Sequence, residues 1–415
     1  MKVVAAPYLL TGTVPRPPSS KGSGEQGLPP VIADGALALE NDRIVAVGPR
    51  AEVEARHGPA ERVDAVILPA LTNAHLHLEL SHLAGRIPGG EGLAAWVERL
   101  VALRASEGDD GADAAIADGI EALQRAGVAA VGDVSNTLAP LSALAWSGFA
   151  GTVFHEVFGF SEERVQRALA QAQAAREMAP TGTTGLWVAL SPHAVYSTHP
   201  GTIASLLRAG PASIHLAEDP AERIFCATGQ GPFAALARKL GATDADLRAV
   251  ARSAVARVAS WLGPRSLAVH LVDLDDQDLR DLRRSGATAV LCPRSNLHIV
   301  GKVPDLPRLL AAGVPLAVGS DSLASSPSLS PLAELAALRT AFPQVDPGRL
   351  LPLAWNGAAV GLRGMGRLAP GSCPGVLAAP LGRSRPANPL AWLLDVFGAE
   401  ERSFEWLAHY RAEVR

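Results

Sequence analysis

At 415 residues the chain is long enough for a large barrel with a smaller unit beside it. Its 48% apolar and 19% charged residues are ordinary for a globular enzyme-sized protein, and a net charge of −4 excludes a broad basic surface for nucleic acid or anionic membrane. The three cysteines, Cys226, Cys292 and Cys373, are scattered and odd in number, so neither a disulfide framework nor a thiolate zinc site is expected.

Met1 to Leu10 is mildly apolar and lacks the basic start and long apolar run of a secretory leader. With reduced cysteines this points to the cytoplasm. No apolar run is long enough for a membrane-spanning helix. Pro15 to Pro30 is rich in Pro, Ser and Gly and reads as a loop. Val31–Leu39, the turn Glu40-Asn41-Asp42 and Arg43–Gly48 read as a β-hairpin.

From residue 65 the pattern becomes strand, loop and helix, repeated. Short apolar runs fall at 65–68, 129–133, 152–156, 186–190, 213–216, 267–271, 289–291 and 315–318. Helical segments are expected at 91–103, 112–126, 162–177, 245–261, 275–284 and 331–341. Eight such alternations, with strands apolar on both faces, predict an α/β fold of the (β/α)8 TIM-like barrel type. A doubly wound open sheet is the alternative. Residues 1–67 and about 366–385 would form a small β-sandwich domain, 68–365 the barrel, and 386–415 a helical extension with helices at 390–397 and 402–411.

Polar residues at the C-terminal strand ends carry the chemistry of such barrels. Here His75 and His77 follow strand one, two residues apart on an extended backbone, so both rings face one side. His193 follows strand four, His215 and Glu218 strand five, His270 strand six and Asp321 strand eight. Five of the eleven histidines sit at these few positions. Each alone reads as well as a satisfied strand-end histidine. Together they point to a metal site. Trp96 reads first as a core residue of its helix, with a lid aromatic over the pocket as the alternative.

The segments PALTNAHLHLEL, SPHAVYS, IHLAEDPAE, VHLVDLD, CPRSNLHI and GSDSLAS, in this order, resemble the amidohydrolase superfamily. Within it they resemble the branch of adenosine, cytosine, guanine and S-adenosylhomocysteine deaminases and triazine chlorohydrolases, and most of all aminodeoxyfutalosine deaminase-like proteins. The resemblance implies one divalent metal, zinc or else iron, on His75, His77, His215 and Asp321. It implies that metal-bound hydroxide attacks an amine-bearing ring carbon and ammonia leaves. Glu218 would shuttle the proton, His270 would bond the reacting oxygen, and Asp321 would also take the water's proton. His193 resembles a substrate-contacting position.

Glu79 points toward the same mouth and reads either as a substrate contact or as a partner that orients a ligand histidine. Arg294, after strand seven, would pair with a substrate carboxylate or anchor its loop. Asn296 and Ser322 would fix loop geometry. No lysine lies between Lys21 and Lys239, so a lysine-bridged pair of metals is excluded. The alternatives are a chlorohydrolase or cyclic-amide hydrolase of the same superfamily, or an inactive binding or assembly relative. The expected partner is a small heterocyclic substrate, with a homodimer as the assembly.

Overall fold

A computed structural model describes residues 1–12, 30–107, 111–178, 185–248, 251–362 and 364–411. Apart from Pro30, the Pro15–Pro30 loop lies outside the described residues. The first sheet gathers β1 (Lys2–Leu10), β2 (Val31–Glu40), β3 (Arg43–Pro49), β4 (Glu61–Arg62) and β5 (Ala65–Pro69). β2 and β3 pair antiparallel with Glu40 opposite Arg43. Asn41 and Asp42 turn the chain at φ of 49° and 67°, the left-handed region that a two-residue hairpin requires and these side chains tolerate. Along β1, Val3 and Ala5 face one small core, and Val4 and Ala6 the other. That alternation is the two-residue period of a strand.

Ala65–Leu68 is the first correction. This run is β5, paired with β1, and not barrel strand one. Barrel strand one is β6 (Leu71–Leu76). Its polar Thr72 and Asn73 are buried, so it does not stand out as an apolar run. Asn73 is satisfied by Ser320, donating to its Oγ at 2.7 Å and accepting from its backbone N–H at 3.1 Å.

β7 (Val128–Ser135), β8 (Ala150–Val157) and β9 (Leu186–Pro192) continue from β6 as a parallel sheet of four strands. β10 (Ala212–Leu216), β11 (Ser266–His270), β12 (Thr288–Leu291) and β13 (Leu316–Val318) form a second. Two isolated parallel bridges, Ala194 with His215 and Leu76 with Asp321, join these halves into the barrel. At one seam the His215 N–H donates to His193 O at 2.9 Å. At the other the Asp321 N–H donates to His75 O at 3.0 Å. Gly319 makes the second seam fit: a Cβ there would stand 2.7 Å from both Cβ and O of His75. Every residue of β6, β7, β8, β10, β11 and β12 is buried, as strands covered on both faces must be.

The chain then returns to the first sheet. β14 (Pro374–Pro380) pairs with β5, and β15 (Glu405–Tyr410) pairs with β14. Where a sandwich was expected, the described residues form one continuous sheet of seven strands. Residues 402–411 are therefore not the expected helix. Glu405 to Tyr410 alternates in exposure, and the free edge of β14 supplies its backbone partners. Trp406 donates from Nε1 to Gln124 O at 3.0 Å, and Phe404 packs on Phe397, so this strand also ties the sheet to the barrel's outer helices. Residues 389–398 are helical.

The expected long helix at 245–261 is, among the described residues, the single short helix Ala254–Val258, begun by the Ser253 cap. Helices at Leu93–Glu107, Ala112–Arg125, Glu162–Met178, Asp276–Ser285 and Pro331–Ala341 lie where expected. Among the described residues no helix is long and apolar enough to cross a membrane.

Candidate active site

The C-terminal strand ends converge on one cavity, as in other barrels of this kind. His75 is the penultimate residue of β6, and His77 follows as the cap of the short 3-10 turn Leu78–Leu83. The ring centroids of His75 lie 4.9 Å from those of both His77 and His215. One nitrogen from each of these three rings lies within 4.8 Å of the others. Asp321 completes the group, with Oδ1 3.5 Å from Nε2 of His77 and 3.8 Å from Nε2 of His75. Both nitrogens of His75, and Nε2 of His215, are buried without a hydrogen-bond partner. Buried polar atoms are rarely left so. Three imidazoles and a carboxylate with orphaned lone pairs are the donor set of a divalent cation site.

The electrostatics agree. Burial, and then the neighbouring His215, His77 and His270, hold His75 well below the ordinary histidine range, which leaves its ring neutral and able to donate a lone pair. Burial raises the Asp321 carboxyl, but His77 and His270 outweigh it and keep it ionised. Its Oδ2 accepts from Ser295 Oγ at 2.5 Å and Ser325 Oγ at 3.2 Å, and Oδ1 from the Ser322 N–H at 2.8 Å. Ser322 thus fixes the loop, as expected.

His270 stands beside this cluster. Asn296 Nδ2 donates to its Nδ1 at 3.0 Å, which orients the ring, a contact beyond the loop-fixing role expected of Asn296. Nε2 faces His215 Nδ1 at 3.1 Å and Glu218 Oε2 at 3.4 Å. Burial lowers His270 to about 3. Burial also holds the Glu218 carboxyl well above the usual carboxylate range, and the charges of Asp321 and Glu222 push the same way. Glu222 pins the Glu218 loop by accepting from the N–H groups of Ala217 at 3.1 Å and Glu218 at 2.7 Å. It is also the third residue of a capping box with Asp219, so it begins the helix Pro220–Thr228. Ala217, His270, Leu271 and Asp321 all have positive φ, between 54° and 78°. Non-glycine residues seldom adopt this conformation, and its clustering here marks a site whose backbone is bent for function.

His193 lines the cavity with Nδ1 held by Ser197 Oγ. Glu79 reaches the cavity too, but its Oε2 is spent. It accepts from Ser135 Oγ, Asn136 N, Thr137 N and Thr137 Oγ1 at 2.7–3.0 Å. The carboxylate therefore organises the loop after β7. Arg294 is a correction. It lies outside the cavity wall, where Nη1 donates to Ser328 Oγ at 2.9 Å and Nη2 to Glu401 Oε1 at 2.8 Å, while Nε is 3.8 Å from buried Glu334. It anchors its loop to the C-terminal segment. Arg294→Ala should lower stability by about 1–3 kcal/mol, the usual cost of stranding such partners, and leave KM within a few-fold. A thermal melt with steady-state kinetics checks this, and a KM raised more than about tenfold, a loss of over 1.4 kcal/mol in binding, would place Arg294 back in the cavity.

Among the titratable cavity residues beside the histidines, Glu156 escaped the sequence reading. It is the penultimate residue of β8, with Oε1 3.4 Å from His215 Nε2 and Oε2 accepting from Asn136 Nδ2 at 2.8 Å. Burial raises it, but the charges of His193, His215 and His77 outweigh burial and hold it ionised. The strand-end rule that found His193 and His270 would have found Glu156, had it been applied to strand three. Trp96, for which both a core and a pocket place were read, packs in the core and lines the cavity.

Comparison with known proteins agrees with this geometry. The model of the amidohydrolase family matches residues 66–372, and that of an imidazolonepropionase-like composite domain of bacteria matches 35–60. Aminodeoxyfutalosine deaminase of Deinococcus radiodurans is 30% identical over 78% of this chain and 80% of its own length. 5-Methylthioadenosine/S-adenosylhomocysteine deaminase of Nitratidesulfovibrio vulgaris is 29% identical over 83% of this chain and 78% of its own. The crystal structure of Helicobacter pylori aminofutalosine deaminase with methylthio-coformycin superimposes with a TM-score of 0.83 at 22% identity, over the whole of both chains. The chain, with three quarters of its length in one family match and its histidine and aspartate cluster at the barrel mouth, belongs to the amidohydrolase family.

Proposed function

We propose that the chain is an aminohydrolase with one divalent metal, acting on an adenine-type nucleoside such as those named for its relatives. The observation that carries the reading is Glu218, a buried carboxyl whose surroundings favour its protonated form, with Oε2 3.4 Å from His270 Nε2 at the edge of the histidine cluster. Hydrolytic removal of a ring amine needs such a proton donor. Water adds its oxygen to the amine-bearing carbon, a ring nitrogen gains a proton, and the C–N bond then breaks to leave a carbonyl and ammonia.

His75, His77, His215 and Asp321 would hold the ion, for which we assign zinc, with iron as competitor. Bound there, a divalent ion acts as a Lewis acid and brings the pKa of a water toward about 7. Glu218 gives its proton to the ring nitrogen and recovers one for the departing amine. His270, oriented by Asn296, donates to the oxygen on which charge grows. Asp321, with Oδ2 held by Ser295 and Ser325, takes the proton released by water. The apolar wall of Leu93, Trp96, Val97 and Leu100 excludes competing water.

The test is ammonia release over a panel of 5′-substituted adenosines, guanine, cytosine and chlorotriazines, with metal content measured on the same preparation. The expected result is about one ion per chain, as for an open catalytic site, and ammonia from adenosine-type substrates. Chloride release from triazines without ammonia from any adenosine would overturn the reading.

A further inference from the structure

The ends of β10 and β11 bend together. Their last paired residues are Leu216 and His270. Beyond them the Leu271 N–H donates to Leu216 O at 3.1 Å, and the Val272 and Asp273 N–H groups both donate to Ala217 O, at 2.8 and 2.9 Å. Ala217, His270 and Leu271 take left-handed φ in this bend, which non-glycine residues keep only where their surroundings hold them. Glu218 and His270 emerge from it with Oε2 and Nε2 3.4 Å apart.

Two consecutive residues of the helix Pro220–Thr228 hold the bend. Glu222 pins the β10 side through the N–H groups of Ala217 and Glu218. Arg223 reaches the β11 side. Its Nε donates to Asp273 Oδ2 at 2.7 Å and its Nη2 to Asp273 O at 3.1 Å. The same guanidinium donates to Asp275 Oδ2 at 3.1 Å and to buried Asp278 Oδ2 at 2.9 Å. Asp275 and Asp278 form the capping box of the helix Asp276–Ser285. One side chain therefore fastens the helix after β10 to both the loop and the helix after β11. The planar fork of arginine fixes several acceptors at once, which a lysine ammonium does not. Neither Arg223 nor these three aspartates line the cavity, so any effect on the reaction passes through the loops they join. Arg252 offers a contrast. It shares Asp278, at 2.7 Å, and Asp275, at 3.3 Å, but its other carboxylate is Asp281, and among the described residues it has no bond to Asp273.

We infer that Arg223 is a positioning residue. By tying Asp273 to the helix that follows Glu218, it sets the separation of Glu218 from His270, and with it the geometry of proton transfer. The inference rests on the deaminase reading above.

The experiment measures kcat, KM, metal content and melting midpoint on the adenosine-type substrate turned over fastest in the panel above. The variants are Arg223→Gln, Arg223→Lys, Asp273→Asn and Arg252→Gln, each also combined with Glu218→Gln. Arg223→Gln should lower kcat about 10- to 100-fold, the scale of a small misplacement of reacting groups, with KM within about threefold and metal retained. Arg223→Lys should recover part of the loss. Arg252→Gln should lower the midpoint and leave kcat within about twofold, because its bonds do not reach Asp273. In the Glu218→Gln background the further loss from Arg223→Gln should shrink to about threefold or less, since residues that act through one another do not add. Should Arg223→Gln fail to fold, Asp273→Asn, which removes a single charge from the same link, carries the same expectations. An unchanged kcat in Arg223→Gln or, in its place, Asp273→Asn overturns the inference, as does an equal kcat loss from Arg252→Gln or a full loss in the Glu218→Gln background, while ammonia release by the wild type upholds the deaminase reading. No ammonia from the wild type on any adenosine overturns the deaminase reading, and this inference with it.

Discussion

Glu218→Gln should keep its metal, its fold and its substrate affinity, and lose turnover by about 10²-fold or more, the usual share of a general acid. The amide is isosteric and leaves the backbone pinning by Glu222 intact. It cannot pass a proton to the ring. The pH profile gives a second reading. Burial raises the carboxyl well above its ordinary value, so the proton-bearing form extends to higher pH than in a free carboxyl. In the wild type, kcat should fall as rising pH strips that proton. The variant has no such proton, and its alkaline limb should flatten. Single-turnover ammonia release across pH, with metal analysis, measures both. Turnover within threefold of the wild type would remove Glu218 from the mechanism.

His75→Ala should be more damaging still. It removes a fully buried ring whose two nitrogens have no partner in the protein. With two histidines and Asp321 left, retained metal should fall well below one ion per chain. The Lewis acidity of a bound ion is worth several kcal/mol, so losing about 4 kcal/mol predicts a fall of roughly 10³-fold in kcat/KM. Chelation of the wild type should produce the same loss, reversed by added zinc, while the variant should not recover. The thermal midpoint should answer to zinc in the wild type and cease to do so in the variant, because a ligand stabilises only what binds it. Full activity in a metal-free variant would refute the ligand assignment.

The strand ends were legible because the barrel repeats one rule, and His75, His77, His215, His270 and Asp321 all obey it. The misreadings have separate physical causes. Ala65–Val66-Ile67-Leu68 is as apolar as any barrel strand, yet its partners are β1 and β14, and composition does not record which sheet covers a strand. Leu71–Leu76 hid behind Thr72 and Asn73, whose burial is allowed by bonds to residues such as Ser320, far off in sequence. Residues 405–410 carry helix formers, but tertiary pairing overrode propensity. Arg294 shows the same limit: only its partners in space, Glu401 and Ser328, tell anchor from recognition group.

The seams of the barrel have a consequence for how variants of this protein will be interpreted. The half built from β6 to β9 supplies His75 and His77, and the half from β10 to β13 supplies His215 and Asp321. The backbone bonds that join the halves run through His75, His215 and Asp321 themselves. Ligand geometry and closure of the ring are therefore a single construction. A mutational scan scored on activity would rank Gly319 with the catalytic residues, though it has no side chain, because any Cβ there pushes His75 out of line. Such a residue is a keystone: it contributes no chemistry of its own, and the chemistry fails when it is replaced.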